Sequence, residues 1–143
     1  MISVCKSYEF AAAHHLPNHN GKCRSVHGHN YLLEVELAGE PREWDVDRPR
    51  SSEGMVVDFA TLDAVVKPLL AHPDGLDHSD LNMLLDAEYL PPTAESLVRF
   101  FRDCLEAWVD TNNAEAAPDD PTVLTLERIR VWETPKAYAE WKR

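Results

Sequence analysis

The chain has 143 residues, of which 44% are hydrophobic and 27% charged, with a formal net charge of −11 at pH 7. These values are typical of a soluble globular protein, and we expect residues 1–143 to form a single domain with a sizeable core. The acidic balance argues against non-specific binding to nucleic acid or to an anionic membrane, because both need a basic footprint.

The sequence also indicates the cellular compartment. No apolar run approaches the ~20 residues that a membrane-spanning helix needs, and MISVCKSYEF lacks a signal-peptide pattern, so we expect a cytoplasmic protein. Cys5, Cys23 and Cys104 are odd in number and far apart. A disulfide framework is therefore not expected, although a specific role for one thiol is.

Two strands are predicted at the start of the chain, over about 2–10 and 27–38. Apolar side chains alternate in both, at Val4, Tyr8 and Phe10 and then at Tyr31, Leu33, Val35 and Leu37. AAAHHLPNHNGKC, between the strands, contains several turn formers and is predicted to be a loop. Residues 40–54 are predicted to be a long connection, with MVVDF (55–59) closing a hairpin as a short strand.

Two helices are predicted next. Asp58 is a reasonable N-cap for a helix over 59–71, in which Pro68 should kink or shorten the last turn. Thr93 is the predicted cap of a second helix. Its apolar stripe comprises Leu97, Phe100, Cys104, Leu105 and Trp108. HPDGLDHSDLN before this helix and DTNNAEAAPDDP after it are predicted to be loops.

The last two predicted strands cover about 123–133 and 136–142. The resulting order, β-β-α-α-β-β, indicates an α+β fold: an antiparallel sheet with helices on one face. The edges and the other face of such a sheet have to be covered or kept from aggregating, and oligomerisation is one way to do so.

Histidines mark the entrance of the second strand. His27 and His29 project from the same face, and two imidazoles so placed are a natural start for a zinc site. His14 is the best candidate for a third ligand, because it follows the end of the neighbouring strand. Three neutral histidines leave one zinc position open, as in catalytic sites. The alternative is a set of partly buried or edge histidines without a metal.

Other polar residues have competing interpretations. Cys23 is a fourth zinc ligand, a base or nucleophile beside the metal, or a loop cysteine without a role. Asp77 and His78 can form a proton-transfer pair only if the backbone is bent. Glu133 is either a solvated strand end or an anchor that accepts paired donors from a ligand.

Five motifs in combination carry a resemblance to a known family. FAAAHHL, CRSVHGHNY, LDHSDLN, PPTAESL and VWETP resemble, in order and approximate spacing, the 6-pyruvoyl-tetrahydropterin synthase / 6-carboxy-tetrahydropterin synthase family. The resemblance covers nearly the whole chain. It implies the tunnelling fold (T-fold), a β-β-α-α-β-β subunit with a four-stranded antiparallel sheet and two helices on one face. Such subunits assemble, usually as hexamers built from two trimers, with active sites between subunits.

The same resemblance implies roles for individual residues. The implied zinc ligands are His14, His27 and His29, the implied catalytic residues Cys23, Asp77 and His78, and the implied pterin-binding residues Glu133, Thr93 and Glu95. The implied role of Cys23 is to abstract a proton from the substrate, while Asp77 and His78 relay protons. Lys22, Arg24 and Lys136 are candidates for contacting phosphate.

Two features select a branch of the family. Three residues separate the cysteine from HGH, as in the bacterial 6-carboxy-tetrahydropterin synthases of queuosine biosynthesis, and LDHSDLN also resembles the bacterial form. That resemblance implies conversion of 7,8-dihydroneopterin triphosphate to 6-carboxy-5,6,7,8-tetrahydropterin, acetaldehyde and triphosphate. The alternatives are a 6-pyruvoyl-tetrahydropterin synthase or related pterin aldolase, and a catalytically idle zinc- and pterin-binding protein. The connections over residues 40–54 and 111–121 look longer than those in compact members of the family.

Overall fold

The computed structural model describes residues 1–116 and 123–143. Its elements in chain order are β1 (Ile2–His14), β2 (His27–Gly39), α1 (Phe59–Leu70), β3 (Ser79–Asp80), α2 (Leu81–Leu84), α3 (Ala94–Glu115), β4 (Thr125–Thr134) and β5 (Ala137–Lys142). Single 3₁₀ turns lie at Lys22–Arg24 and Ala87–Tyr89.

Within the described residues, the strands form one sheet in the order β3-β1-β2-β4-β5. The four long strands are antiparallel, as predicted. β1 and β2 pair along their full length, from Ile2 opposite Gly39 to His14 opposite His27. The two-residue β3 is an addition to the predicted sheet and runs parallel to β1 beside Ala12 and Ala13. The end of β1 is therefore flanked on both sides.

The hydrophobic core lies on one face of the sheet, beneath the long helices. Alternation in β2 places Tyr31, Leu33, Val35 and Leu37 in the core. They form one cluster with residues of both helices, among them Leu62 and Val66 of α1 and Leu97 and Phe101 of α3. On the other face, Glu36 accepts a hydrogen bond of 2.7 Å from Nε of Arg128. The sheet thus has an apolar face covered by helices and a charged, helix-free face.

Both predicted helix caps are confirmed. The Asp58 side chain accepts a hydrogen bond from the backbone N–H of Ala60, and the Thr93 side chain accepts one from Ser96. α1 ends at Leu70, one residue before the predicted end, with Pro68 in its last turn. Among the described residues, no helix is both long enough and apolar enough to cross a membrane.

Several predicted boundaries were wrong. β1 continues through AAAH to His14, so His14 ends a strand rather than following one. MVVDF forms no strand, because Val56 and Val57 pack into the core from a loop. The predicted loop at LDHSDLN contains β3 and the start of α2.

α3 also differs from its prediction. It continues to Glu115, so the first half of the predicted loop over 110–121 is helical, and residues 117–121 lie outside the described part. Its buried face is rotated from the predicted stripe: Val98 and Phe101 are buried, whereas Phe100, Cys104 and Trp108 are only partly buried.

Candidate metal centre and neighbouring residues

Three histidines converge where β1 ends and β2 begins. His14 lies opposite His27, and His29 lies opposite Ala12 one step further along. Their ligand-capable nitrogens all lie within 4.8 Å of one another, and this is the group of His, Cys, Asp and Glu side chains in the described residues that could hold a metal ion. The sheet therefore holds three imidazoles on rigid elements, where a metal site is best supported.

Hydrogen bonds fix the tautomers of two of these histidines. Nδ1 of His14 lies 2.7 Å from the carbonyl oxygen of Pro92, and Nδ1 of His27 lies 2.8 Å from that of Ser25. A carbonyl oxygen only accepts, so each Nδ1 carries the proton and each Nε2 keeps its lone pair. This arrangement is typical of metal-ligating histidines, in which the second ring nitrogen is held by a carbonyl or carboxylate.

The free nitrogens face one another. Nε2 of His14 and Nε2 of His27 lie 3.1 Å apart. When both rings are neutral, as metal ligands must be, no proton lies between these nitrogens, and a cation placed there would bind both lone pairs. Two nitrogens bound to one tetrahedral zinc at ~2.0–2.1 Å would be ~3.4 Å apart. The separation in the structure thus fits a shared metal ion.

His29 supplies a third nitrogen without a partner. Its Nε2 is buried and has no hydrogen-bond partner among the described residues. The nearest opposite charge is Glu133, whose Oε1 lies 3.8 Å away. Burial lowers the pKa of His29, and Glu133 partly opposes this. A neutral imidazole with an unused buried nitrogen is a ready metal ligand, so the donor set fits a cation that binds nitrogen.

Tyr31 supports the triad from the core. Its ring stacks on Phe10 at 5.0 Å between centroids and meets the ring of His29 edge-on at 5.5 Å. Its hydroxyl lies 3.4 Å from Nδ1 of His14. Burial raises the pKa of Tyr31, so the hydroxyl is neutral and can contact His14 without adding charge.

Asp77 and His78 contact each other across a bent backbone, the condition under which adjacent residues can form a proton-transfer pair. His78 has a positive φ of 56°, and its Nδ1 lies 2.9 Å from Oδ2 of Asp77. Oδ1 of Asp77 accepts a hydrogen bond of 2.8 Å from the backbone N–H of Ala11. This bond is the main reason why the pKa of Asp77 is lowered, with a further contribution from His78. An ionised Asp77 therefore orients the largely exposed imidazole of His78.

The pair opens onto the helix-free face of the sheet. A cavity of about 740 Å³ there is lined by Asp77 and His78 together with Asn30, Trp132 and Thr134. The histidine triad does not line this cavity. A neighbouring cavity of about 550 Å³ is lined by both His29 and His78, so the Asp77–His78 pair and one candidate metal ligand border a common space.

Three predicted residues remain: Cys23, Thr93 and Glu95. Cys23 lies half-buried in the Lys22–Arg24 turn and is not part of the metal-capable group, so its interpretation as a fourth ligand has no support here. Thr93 lines a cavity of about 530 Å³. Glu95 is exposed in the first turn of α3.

Sequence reasoning missed the residues that hold the site together. Neither Pro92 nor Ser25 was expected to contribute a carbonyl to a histidine. Asn82, which binds the backbone of His15, was assigned to a loop. One local signal was available: Asp80 is a good N-cap, and its side chain does accept from the backbone N–H of Asn82.

The chain is similar to several known proteins. Residues 3–143 match the family model described as 6-pyruvoyl tetrahydropterin synthase. A 6-carboxy-5,6,7,8-tetrahydropterin synthase of Haemophilus influenzae is 28% identical over 160 residues, covering 99% of each chain. One of Synechocystis sp. is 35% identical over 134 residues, covering 94% of this chain and 88% of that protein. The solved structure of the Caenorhabditis elegans 6-pyruvoyl tetrahydropterin synthase superposes with a TM-score of 0.71 at 25% identity, covering 99% of this chain and 95% of that one.

Proposed function

Because the chain belongs to the 6-pyruvoyl tetrahydropterin synthase family and has its T-fold, we propose that it is a zinc-dependent 6-carboxy-5,6,7,8-tetrahydropterin synthase. The chain is thus a lyase of the tetrahydropterin synthase type. The proposed substrate is 7,8-dihydroneopterin triphosphate, and the products are 6-carboxy-5,6,7,8-tetrahydropterin, acetaldehyde and triphosphate. In this proposal residues 1–143 act as one domain, in the cytoplasm, on the route to queuosine.

The observation that carries the proposal is the histidine triad. His14, His27 and His29 supply three nitrogens: two belong to rings whose Nδ1 faces a carbonyl oxygen, and the third is buried without a hydrogen-bond partner in the described part of the chain. These three residues would hold the zinc. When bound, zinc supplies a Lewis acid that makes the substrate's side-chain hydroxyls more acidic and stabilises negative charge on their oxygens.

The chain's other residues have proton-transfer roles in this proposal. Cys23 as a thiolate abstracts a proton from the substrate side chain. His78 exchanges protons with the substrate at Nε2, because Asp77 holds its Nδ1. The negative charge of Asp77 also stabilises the protonated imidazole while it carries the proton.

Substrate recognition is assigned to the start of α3 and the end of β4. The Glu133 carboxylate accepts the paired N–H donors of the pterin's amino-pyrimidine edge, a geometry that suits two parallel hydrogen bonds. Thr93 and Glu95 line the pterin pocket. We also propose a homohexamer with active sites between subunits, as the family resemblance implies.

The curated relatives named 6-carboxy-5,6,7,8-tetrahydropterin synthase support the carboxy product over the pyruvoyl product. A 6-pyruvoyl-tetrahydropterin synthase remains the alternative, since the matching family model and the similar worm structure carry that name. Product analysis separates the two, because only carbon–carbon cleavage releases acetaldehyde.

The first test is the metal content of the purified wild type beside His27→Ala. We expect about one zinc per chain in the wild type and its loss in the variant. Turnover of dihydroneopterin triphosphate by the wild type, with acetaldehyde among the products, would then support the full proposal. Carefully prepared wild type that binds no metal would overturn it and favour an idle pterin-binding protein.

A further inference from the structure

We propose that Asn82 is a positioning residue for the metal centre, although it touches none of the three candidate ligands through its own side chain. The inference rests on the proposed metal site and deepens it. Asn82 clamps the backbone of His15, the residue that directly follows the ligand His14, and so fixes the end of β1 from which that ligand projects.

Near the end of β1, backbone groups of Ala11 and His15 bond to residues outside β2. There the N–H of Ala11 donates to Asp77 and its carbonyl accepts from the N–H of His78 at 2.6 Å. β3 then pairs beside Ala12 and Ala13 and stops at Asp80. His15 lies beyond the reach of this short strand.

Asn82 takes over where β3 ends. Its Oδ1 accepts from the N–H of His15 at 2.9 Å, and its Nδ2 donates to the carbonyl oxygen of His15 at 2.9 Å. A side-chain amide thereby makes the two bonds that a neighbouring strand residue would make. Asn82 is itself held, because its backbone N–H donates to Oδ1 of Asp80 at 3.0 Å.

The clamp acts on His14 through the chain. β1 pairs with β2 as far as His14, so the peptide that follows has no further strand partner on that side. With His15 fixed by Asn82 and Nδ1 of His14 fixed by the Pro92 carbonyl, the imidazole is held at both its backbone and its ring. Removing the clamp frees the strand end and lets Nε2 of His14 drift from the other two nitrogens. Loss of such supporting contacts typically weakens metal binding ~10–100-fold.

The chain contains a matched control. Asn113 of α3 makes the same pair of bonds to Leu124, accepting from its N–H at 2.9 Å and donating to its carbonyl at 2.8 Å. Both asparagines are half-buried. Leu124 lies just before β4, next to Gly39 at the opposite end of β2 from the histidines. Asn113→Ala therefore removes an equivalent clamp without touching the metal centre.

The experiment compares the Zn²⁺ affinity of wild type, Asn82→Ala, Asn113→Ala and His27→Ala, by competition with a chromophoric chelator. Circular dichroism and thermal unfolding of each metal-free protein are measured in parallel. We expect both asparagine variants to unfold at lower temperature than wild type. Of the two asparagine variants, only Asn82→Ala should bind Zn²⁺ more weakly, by about 10-fold or more, with Asn113→Ala close to wild type.

The outcomes are separable. If Asn82→Ala and Asn113→Ala bind Zn²⁺ equally well, the positioning role is overturned while the metal site stands. If wild type binds no Zn²⁺, or His27→Ala binds it as tightly as wild type, the metal assignment itself fails. Should Asn82→Ala not fold, Asn82→Asp keeps the acceptor for the His15 N–H but loses the donor. The proposal then requires this variant to bind Zn²⁺ more weakly than Asn113→Ala.

Discussion

Oε1 of Glu133 lies 3.8 Å from Nε2 of His29, so the carboxylate proposed to anchor the pterin adjoins a proposed metal ligand. β4 and β2 bring the two together from positions about a hundred residues apart in sequence. A pterin held by Glu133 would therefore have its side chain directed towards the histidine triad. Glu133 thus has two proposed electrostatic effects, one on the bound pterin and one on His29, and they can be tested separately.

Glu133→Gln should weaken pterin binding while leaving zinc in place. Replacing the carboxylate removes a charge-assisted pair of hydrogen bonds, worth ~1.5–3 kcal/mol, so the dissociation constant of a dihydropterin should rise by roughly 10- to 150-fold. Calorimetric titration and zinc analysis would measure both quantities. Glu127→Gln on the same strand is the control. Unchanged pterin binding would remove Glu133 from the recognition site.

Cys23→Ala should keep zinc and pterin binding but lose turnover. A general base typically contributes ~10²–10⁴-fold to the rate, and alanine offers no group to replace the thiol. Steady-state assays with dihydroneopterin triphosphate, together with zinc analysis, would show the split. Cys5→Ala, at an exposed cysteine on β1, is the control. Wild-type-like activity of Cys23→Ala would sink the assigned role.

Gly75→Ala should disturb the Asp77–His78 pair. A Cβ at residue 75 would lie 2.3 Å from the carbonyl carbon of Leu70, and this backbone cannot move without shifting the turn that carries the pair. We expect the free energy of unfolding to fall by ~1–3 kcal/mol and turnover to fall further than stability explains. Denaturant unfolding and activity assays would measure this.

Gly54→Ala separates the two effects of the Gly75 variant. Gly54 has a positive φ of 74° but no atom within 4 Å of the added Cβ, so alanine there adds only backbone strain. It should lose ~1 kcal/mol of stability and keep full activity. Equal activities of the two variants would contradict a steric effect on the pair.

Asp63→Asn should change how stability depends on pH. Asp63 of α1 contacts the ammonium groups of Lys6 and Lys67, at 2.5 and 2.8 Å, and accepts a hydrogen bond from Tyr8. The two lysines hold the pKa of Asp63 well below its usual range. In the unfolded chain the group takes up a proton near pH ~3.9. The stabilisation is therefore complete above that pH and is lost as the pH falls towards the folded pKa.

Thermal unfolding from pH 7 down to pH 2 would check this expectation. Asp63→Asn should melt below wild type at pH 7, and the gap should narrow as the pH drops below ~4. Asp110→Asn, at an exposed position near the end of α3, is the control and should parallel wild type. A gap that stays constant with pH would show that the carboxylate's charge is not what matters.

Local patterns in the sequence predicted much of the fold. Alternation gave β2, and the caps Asp58 and Thr93 gave the starts of two helices. The end of β1 was missed because Ala11–Ala13 carry no alternation and Pro17 follows soon after. That stretch pairs with β2 on one side and contacts Asp77, His78 and Asn82, 66 or 67 positions away, on the other, and no local pattern reports such distant partners.

The candidate site likewise has parts that local sequence patterns predicted and parts that they did not. His27 and His29 could be placed on one face from the period of a strand, and His14 from its position near the neighbouring strand. The carbonyls of Pro92 and Ser25 could not be foreseen, because a main-chain acceptor has no signature in the sequence. The family resemblance pointed to Asp77 and His78, but only the backbone geometry shows how these two side chains face one another.

The alanine run at the end of β1, Ala11–Ala13, affects which parts of the fold unfold locally together. Alanine is a poor strand former, so this stretch owes its extended shape to partners on both sides rather than to its own preference. Local opening of residues 77–82 would release Ala11 and His15 together and would disturb both the Asp77–His78 contact and the backbone next to His14. Amide hydrogen exchange at Ala11 and His15 would then report one shared opening event, and a metal ion bound to the histidines would slow exchange at both amides.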